Sequence, residues 1–347
     1  MGQKGFFDLE RRLAAISSKG DPLEAIKKIV RWEDFRADIE AMTETEPEER
    51  KSNAGRKPYD ALLKFKIVVL QSLHNLSDEQ TEYLIHDRFS FMRFLDLEIE
   101  DPVPDATTIW LFREALMEGG LIDRLFARFG QHLEAAGYIA RGGQIIDATI
   151  VSVPKQRNTK EENEAIKAGK TPEGWEQRPA KNGQKDKDAR WTKKNDESFY
   201  GYKNHVGVDK AHNLIRKWDV THAAVHDSQK LDDVLDLSNT GKEVWADSAY
   251  RSLASEARLQ EKGLQSRIHR RAARNRPLSE RQASANTTRS RVRARVEHVF
   301  GHQQSSMGGK IVRTIGIARA RFKIGMMNLG YNIRRLVQLE RMAAAPA

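Results

Sequence analysis

The chain has 347 residues, of which 39% are hydrophobic and 31% charged, and it contains no cysteine. Those values suit a folded chain of two or three domains and exclude disulfide frameworks and thiolate zinc sites. The formal charge of +10 is unevenly placed: from Glu261 onward nineteen Lys or Arg stand against four acids.

Such asymmetry favours a polyanionic partner, nucleic acid or a membrane surface, with a solvated basic tail as the plain alternative. No apolar run approaches the ~18 residues of a spanning helix, and the N-terminus lacks a signal-peptide pattern. A cytoplasmic protein without a membrane partner is therefore expected.

Residues 1 to 57 read as an N-terminal helical segment around Leu9, Leu13 and Ile16, followed by an acidic linker, "TETEPEERKSNAGRKP". Residues 58 to 137 are helical in pattern. Leu62, Leu63, Phe65, Ile67, Val68, Leu70 and Leu73 define one helix, and Ser77 with Gln80 forms a capping-box signature for the next. Further helices are expected in "PDATTIWLFREAL", after Pro104, and in "LIDRLFARFGQHLEAAG", closed by Gly137.

The pattern then changes. "GGQIIDATIVSV" is strand-like, and residues 154 to 198 are polar and poor in aliphatics, reading as a long loop or partly disordered insertion. "FYGYKNHVGVD" and "NLIRKWDVTHAAV" form a hairpin turning at "DKAHN". After them come a helix in "DSQKLDDVLDL", a strand in "KEVWADSAY", a helix in "SLASEARLQEKG", a short strand in "LQSRIH", and helix again from Arg289. This order suits an α/β domain whose mixed sheet is covered by helices.

Three acids stand out. Asp147 interrupts a buried-strand pattern, where an unpaired carboxylate is costly. Asp247 closes the strand-like "EVWADSAY", and Glu297 borders a helix face defined by Val292, Val296, Val299 and Phe300. Converging carboxylates are hard ligands suited to Mg²⁺, and paired ions support in-line phosphoryl displacement. Taken singly, a strand aspartate is usually a cap residue, and Glu297 is an i,i+4 ion-pair partner for Arg293.

The segments "GGQIIDATIV", "YGYKNHVGVD", "VWADSAYRS" and "RARVEHVFG" resemble, in order and spacing, the motifs of DDE transposases of bacterial insertion sequences, the insertion-sequence-five family. The resemblance runs over roughly residues 55 to 340. It implies an α-helical DNA-binding or dimerisation domain over 58–137 and a ribonuclease-H-like catalytic domain over 138–340, interrupted by the polar insertion.

It also implies Asp147, Asp247 and Glu297 as catalytic and metal-binding residues, with two Mg²⁺ ions, replaceable by Mn²⁺, as cofactors. The implied partners are DNA, both terminal inverted repeats and target, and a second copy in a homodimeric active complex; the implied location is the nucleoid. Arg293 matches a basic position before the glutamate, Tyr250 the tyrosine of the second-aspartate motif, and Lys203 with His205 the motif before the hairpin turn. All four are expected at the DNA. The family's usual lysine seven residues after the glutamate is replaced by Gln304.

Arg289, Arg291, Arg293 and Arg295 occupy alternate positions on the same helix, so several would lie along a phosphate backbone. His298 and His302 have a metal-ligand spacing without a zincin pattern, and "AGKT" at 168–171 lacks the earlier glycine of a phosphate loop. Trp245 reads as a core residue of its strand. The expected function is a transposase that cuts element ends and joins them to target DNA. The alternatives are a metal-dependent nuclease that does not join strands and an inactive, transposase-derived DNA-binding protein.

Overall fold

The computed structural model describes residues 7–43, 57–272 and 276–345. Two compact units divide the chain: Met1–Ala135 with Leu329–Ala347, and Ala136–Asn328. Among the described residues no helix is long and apolar enough to cross a membrane.

The first unit is helical: α1 (Asp8–Ser18), α2 (Pro22–Ile29), α3 (Arg36–Thr43), α4 (Ala61–His74), α5 (Asp78–Asp87), α6 (Phe89–Leu95), α7 (Ala106–Glu118) and α8 (Leu121–Ala135). Local chemistry sets the starts. The side chains of Asp60 and Asp105 accept backbone N–H groups at the first turns of α4 and α7, and Ser77 and Gln80 form the expected capping box of α5.

Most of the expected linker, residues 44–56, lies outside the described residues. The segments on either side of it share one aromatic core. Trp32 sits edge-on to Phe94 at 5.5 Å, and Phe35 meets Phe65 at 5.1 Å between ring centroids. Position 57 is therefore not a boundary between compact units, and residues 329–340 belong with this helical unit rather than with the sheet.

The second unit is built on a six-stranded mixed sheet. In chain order it comprises β1 (Gln144–Ser152), α9 (Lys160–Lys167), α10 (Pro179–Gly183), β2 (Arg190–Lys194), β3 (Glu197–Asp209), β4 (Ile215–His222), β5 (Glu243–Trp245), α11 (Leu253–Glu261), β6 (Gln265–Ser266), α12 (Glu280–Ser306) and the start of α13 (Ile317–Ala344). The strand order is β2-β3-β1-β5-β6, with β4 also paired to β3. β1 runs antiparallel to β3 along its whole length and parallel to β5, so it lies inside the sheet. Gly143, at φ 85°, leads into β1; a Cβ there would come within 2.6 Å of Glu243 and Trp245, so this approach to β5 requires glycine.

One face of the sheet buries Ile146, Val244, Ala246, Leu259, Ile268 and Tyr250 in a common core. α12 begins at Glu280, nine residues before Arg289, because Ser279 and Gln282 form a capping box. It buries Val296, Val299 and Phe300. A set of three amides fastens α12 and α13 to β3: the Asn204 and Asn328 side chains donate to each other at 2.9 and 3.1 Å, and Gln303 Nε2 donates to Asn328 Oδ1 at 2.8 Å.

Two sequence expectations change. "DSQKLDDVLDL" forms two 3-10 turns, Asp227–Lys230 and Asp232–Val234, rather than a helix. Asp232 is drawn instead to Arg258 and Lys262 at α11.

The stretch 154–198 is folded, not a loop. Ile166, Trp175 and Ala189 are buried, and Trp175 Nε1 donates to Glu162 at 2.8 Å. The fully buried Asp186 accepts the Tyr202 hydroxyl at 2.7 Å and the backbone N–H groups of Asp188 and Ala189 at 2.9 Å. Burial, and then the Asp186 charge, raise the Tyr202 pKa far above the ordinary tyrosine value, which keeps the hydroxyl a neutral donor. A buried hydrogen bond to a charged group contributes about 1.5–3 kcal/mol. Tyr202→Phe should therefore lower stability by about 2 kcal/mol in urea denaturation; an unchanged midpoint would show that this bond does not hold the segment.

Candidate active site

The position of Asp147 follows from strand pairing. β1 and β5 are parallel, with Ile145 opposite Trp245. Asp147, inside β1, and Asp247, just past the end of β5, each lie two residues beyond that pair, so the parallel register brings the two carboxylates near each other, parallel strands lying only ~4.8 Å apart. Carboxyl ends of strands are where open α/β sheets gather ligands. Asp247 also caps the following 3-10 turn, accepting from the Ala249 N–H at 2.8 Å.

Asp147 Oδ1 accepts from the Ala148 N–H at 2.8 Å, and Oδ2 pairs with Arg293 Nη2 at 3.0 Å. Both side chains are less than one-fifth exposed. Burial raises the Asp147 pKa above the usual carboxylate value, and the Asp247 charge adds to the rise, while Arg293 and the Ala148 N–H oppose it. The local field therefore favours a cation. Arg293 supplies one here, and its buried Nε has no hydrogen-bond partner.

Glu297 stands one helical turn beyond Arg293 on α12 and is exposed. The structure does not bring it into a group with the two aspartates: among the described residues no three His, Asp or Glu side chains are placed to hold a metal ion. Hard, like-charged oxygens from Asp147 and Asp247 fit a divalent cation such as Mg²⁺ in their chemistry. The third donor remains outside. Gln304, on the same helix, donates to Thr149 Oγ1 on β1 at 3.3 Å, so the position of the family's usual lysine does face the strand that carries Asp147.

The other expected site residues separate into two groups. His205 and Tyr250 are fully buried, so neither presents a surface to DNA; this corrects their expected role. His205 Nε2 contacts Thr221 Oγ1 at 2.9 Å, and burial pulls its pKa down to about 4. The Tyr250 hydroxyl has no hydrogen-bond partner, and its pKa is raised first by burial and then by Asp147, Asp227 and Asp247. Lys203 also departs from expectation: it is largely buried, pairing with Asp227 at 2.8 Å and donating to the Val225 carbonyl.

The α12 arginines behave differently. Arg291 is exposed, Arg295 is exposed and donates to the Lys210 carbonyl, and Arg289 donates to the Ile268 carbonyl. Burial and the nearby Arg251, Arg270 and Arg267 lower the Arg289 pKa, which marks a crowded cationic cluster. Sequence reasoning missed these three arginines. The signal for Arg267 and Arg270 was "RIHRR", which overlaps the expected short strand "LQSRIH"; Arg251 stands in "VWADSAYRS". His298 and His302 join no metal-binding group among the described residues, and Trp245 is a buried strand residue beneath the Lys210 ammonium.

Comparison with known proteins places this geometry in a family. A model described as "Transposase domain (DUF772)" matches residues 11–115, and one described as "Transposase DDE domain" matches residues 140–333. A solved structure, the cryo-EM piggyBac transposase synaptic complex with hairpin DNA, aligns at 12% identity with a TM-score of 0.42, covering 92% of this chain and 73% of its own. The DDE model alone spans more than half of the chain, and the protein belongs to the DDE transposase family.

Proposed function

We propose that the chain is a transposase of the insertion-sequence-five type, with a ribonuclease-H-like sheet, that cuts element ends and joins them to target DNA. The observation that carries this reading is the placement of Asp147 on β1 and of Asp247 just past the end of its parallel neighbour β5, with Arg293 seated on Asp147. In this reading Asp147 and Asp247 hold divalent ions, and Glu297 completes the set from α12 by a change of side-chain rotamer. Bound Mg²⁺ or Mn²⁺ supplies activation of the attacking oxygen and neutralisation of the leaving one.

The protein's own groups do the rest. β1 and β5 fix the two carboxylates on a rigid sheet, as reaction geometry demands. The Arg251, Arg267, Arg270 and Arg289 cluster, with exposed Arg291 and Arg295, binds phosphates along the DNA. Arg293 neutralises Asp147 before ions arrive and then turns to a DNA phosphate. Water cuts the phosphodiester and leaves a 3′-hydroxyl; that hydroxyl then attacks target DNA. Joining two ends calls for a homodimer.

Labelled terminal DNA of the encoding element, incubated with Mg²⁺ or Mn²⁺, tests this. Wild type should cut and join. Asp147→Asn, Asp247→Asn and Glu297→Gln should each lose more activity than the ~10–100-fold that outer-shell changes cost, while still binding ends. Cleavage without joining would indicate the nuclease, and end binding without cleavage the inactive relative. Full activity in the variants removes these residues from the site.

Arg293 and a divalent ion should compete for Asp147. Removing one partner of a recessed ion pair costs about 3–5 kcal/mol. Arg293→Ala is therefore expected to melt earlier in metal-free buffer and to gain more from added Mn²⁺ than wild type does. Equal Mn²⁺ shifts in the two proteins would exclude the competition.

A further inference from the structure

One face of the β3–β4 hairpin is polar where an apolar core would be expected. In the antiparallel register Lys203 stands opposite Thr221, and His205 opposite Asp219. Residues opposite each other point to the same face of a sheet, so these four side chains form one layer. His205 is fully buried and Lys203 largely so. The same strand sets Lys203 opposite Ile150 and His205 opposite Ala148. The layer therefore lies on the face of β1 turned away from the Asp147 side chain.

The 3-10 turn Asp227–Lys230 closes over this layer and is fastened at both ends. Lys203 Nζ donates to Asp227 at 2.8 Å, and Lys230 pairs with Asp219 at 2.9 Å. Lys203 Nζ also donates to the Val225 carbonyl at 2.7 Å, so one ammonium holds two points of the approaching chain. Beyond the turn, the Val234 carbonyl lies so close to β3 that a Cβ at Gly207 would come within 2.1 Å of it.

The fastened turn packs against a second one, Ser248–Tyr250, which Asp247 caps. Leu231, next after the first turn, shares a core with Tyr250 and with Ile146, the neighbour of Asp147. Burial, and then the charges of Asp147, Asp227 and Asp247, raise the Tyr250 pKa, so three carboxylates act on one phenol. Among the described residues Asp227 completes no metal-holding group with the other two; its partner is Lys203.

Apolar side chains of the same volume would stabilise such a recess about as well as an ion pair does. What the pair adds is a defined length and direction, because an ammonium bonded to both a carboxylate and a carbonyl holds the turn in one place. We infer that Lys203 and Asp227 are positioning residues for Asp247, a strut from β3 that sets where this carboxylate meets a divalent ion. The inference rests on the reading of Asp247 as a metal ligand.

The test titrates the full chain with Mn²⁺, without DNA, and follows the free ion by its electron paramagnetic resonance signal. Asp247→Asn measures what loss of the ligand itself costs. Lys203→Met and Asp227→Asn should each weaken Mn²⁺ binding about 10–100-fold, the range for residues that orient metal ligands. Lys203→Arg, which keeps the charge and the donors, should retain most of the affinity. Asp227→Asn hardly changes volume and carries the test should Lys203→Met fail to fold. Tyr202→Phe, which loses stability elsewhere in the same unit, should bind Mn²⁺ as wild type does.

Wild-type affinity in the strut variants overturns the inference and leaves the metal site standing. An equal loss in Tyr202→Phe also overturns it, since the effect would then be one of stability alone. If wild type binds no Mn²⁺, or Asp247→Asn binds it equally well, the metal reading of Asp247 falls and the strut with it.

Discussion

A carboxylate in the middle of a sheet has to be answered by a positive charge, and the catalytic unit is arranged around that requirement. Asp147 stands on a strand flanked by β3 and β5, where water is scarce and a second carboxylate is adjacent. The Arg293 guanidinium meets it, so α12 has to lie against β1. A carboxylate left unpaired there would change its protonation state or unsettle the strand. The site is thus biased toward cations by construction.

Much of this is visible in the residues before any coordinates. "QIIDATIV" announces an acid inside a strand, "EVWADSAY" a second at a strand end, and the helix caps of the N-terminal half stand in plain chemistry at Ser77, Asp60 and Asp105. Glu297 shows where helix periodicity stops informing. Its phase says which side of α12 it shares with Arg293, but not whether its carboxylate reaches the aspartates, and among the described residues the three acids form no metal-holding group. Motif resemblance has the same limit for His205 and Tyr250. It marks residues that matter, and burial then assigns both to the interior rather than to the DNA surface.

The stretch 154–198 misleads for a different reason. Its composition is that of a solvated loop, because its core consists of a few residues, Ile166, Trp175 and Ala189, and one charged group. Counting aliphatics cannot register Asp186, which gathers the Tyr202 hydroxyl and two backbone donors at a single carboxylate. Polar segments organised by a buried acid look disordered to any measure of mean hydropathy.

The amide set of Asn204, Gln303 and Asn328 has a bearing on the site although it touches none of the acids. Valines pack with similar energy through a small axial roll of a helix, whereas interlocked amides accept only one azimuth. Each residue of an α-helix advances the circumference by 100°, so a roll of even half that step would aim Arg293 away from β1. The three amides thus act as a key in a shaft, setting the angle at which the long helix presents its charges several turns away.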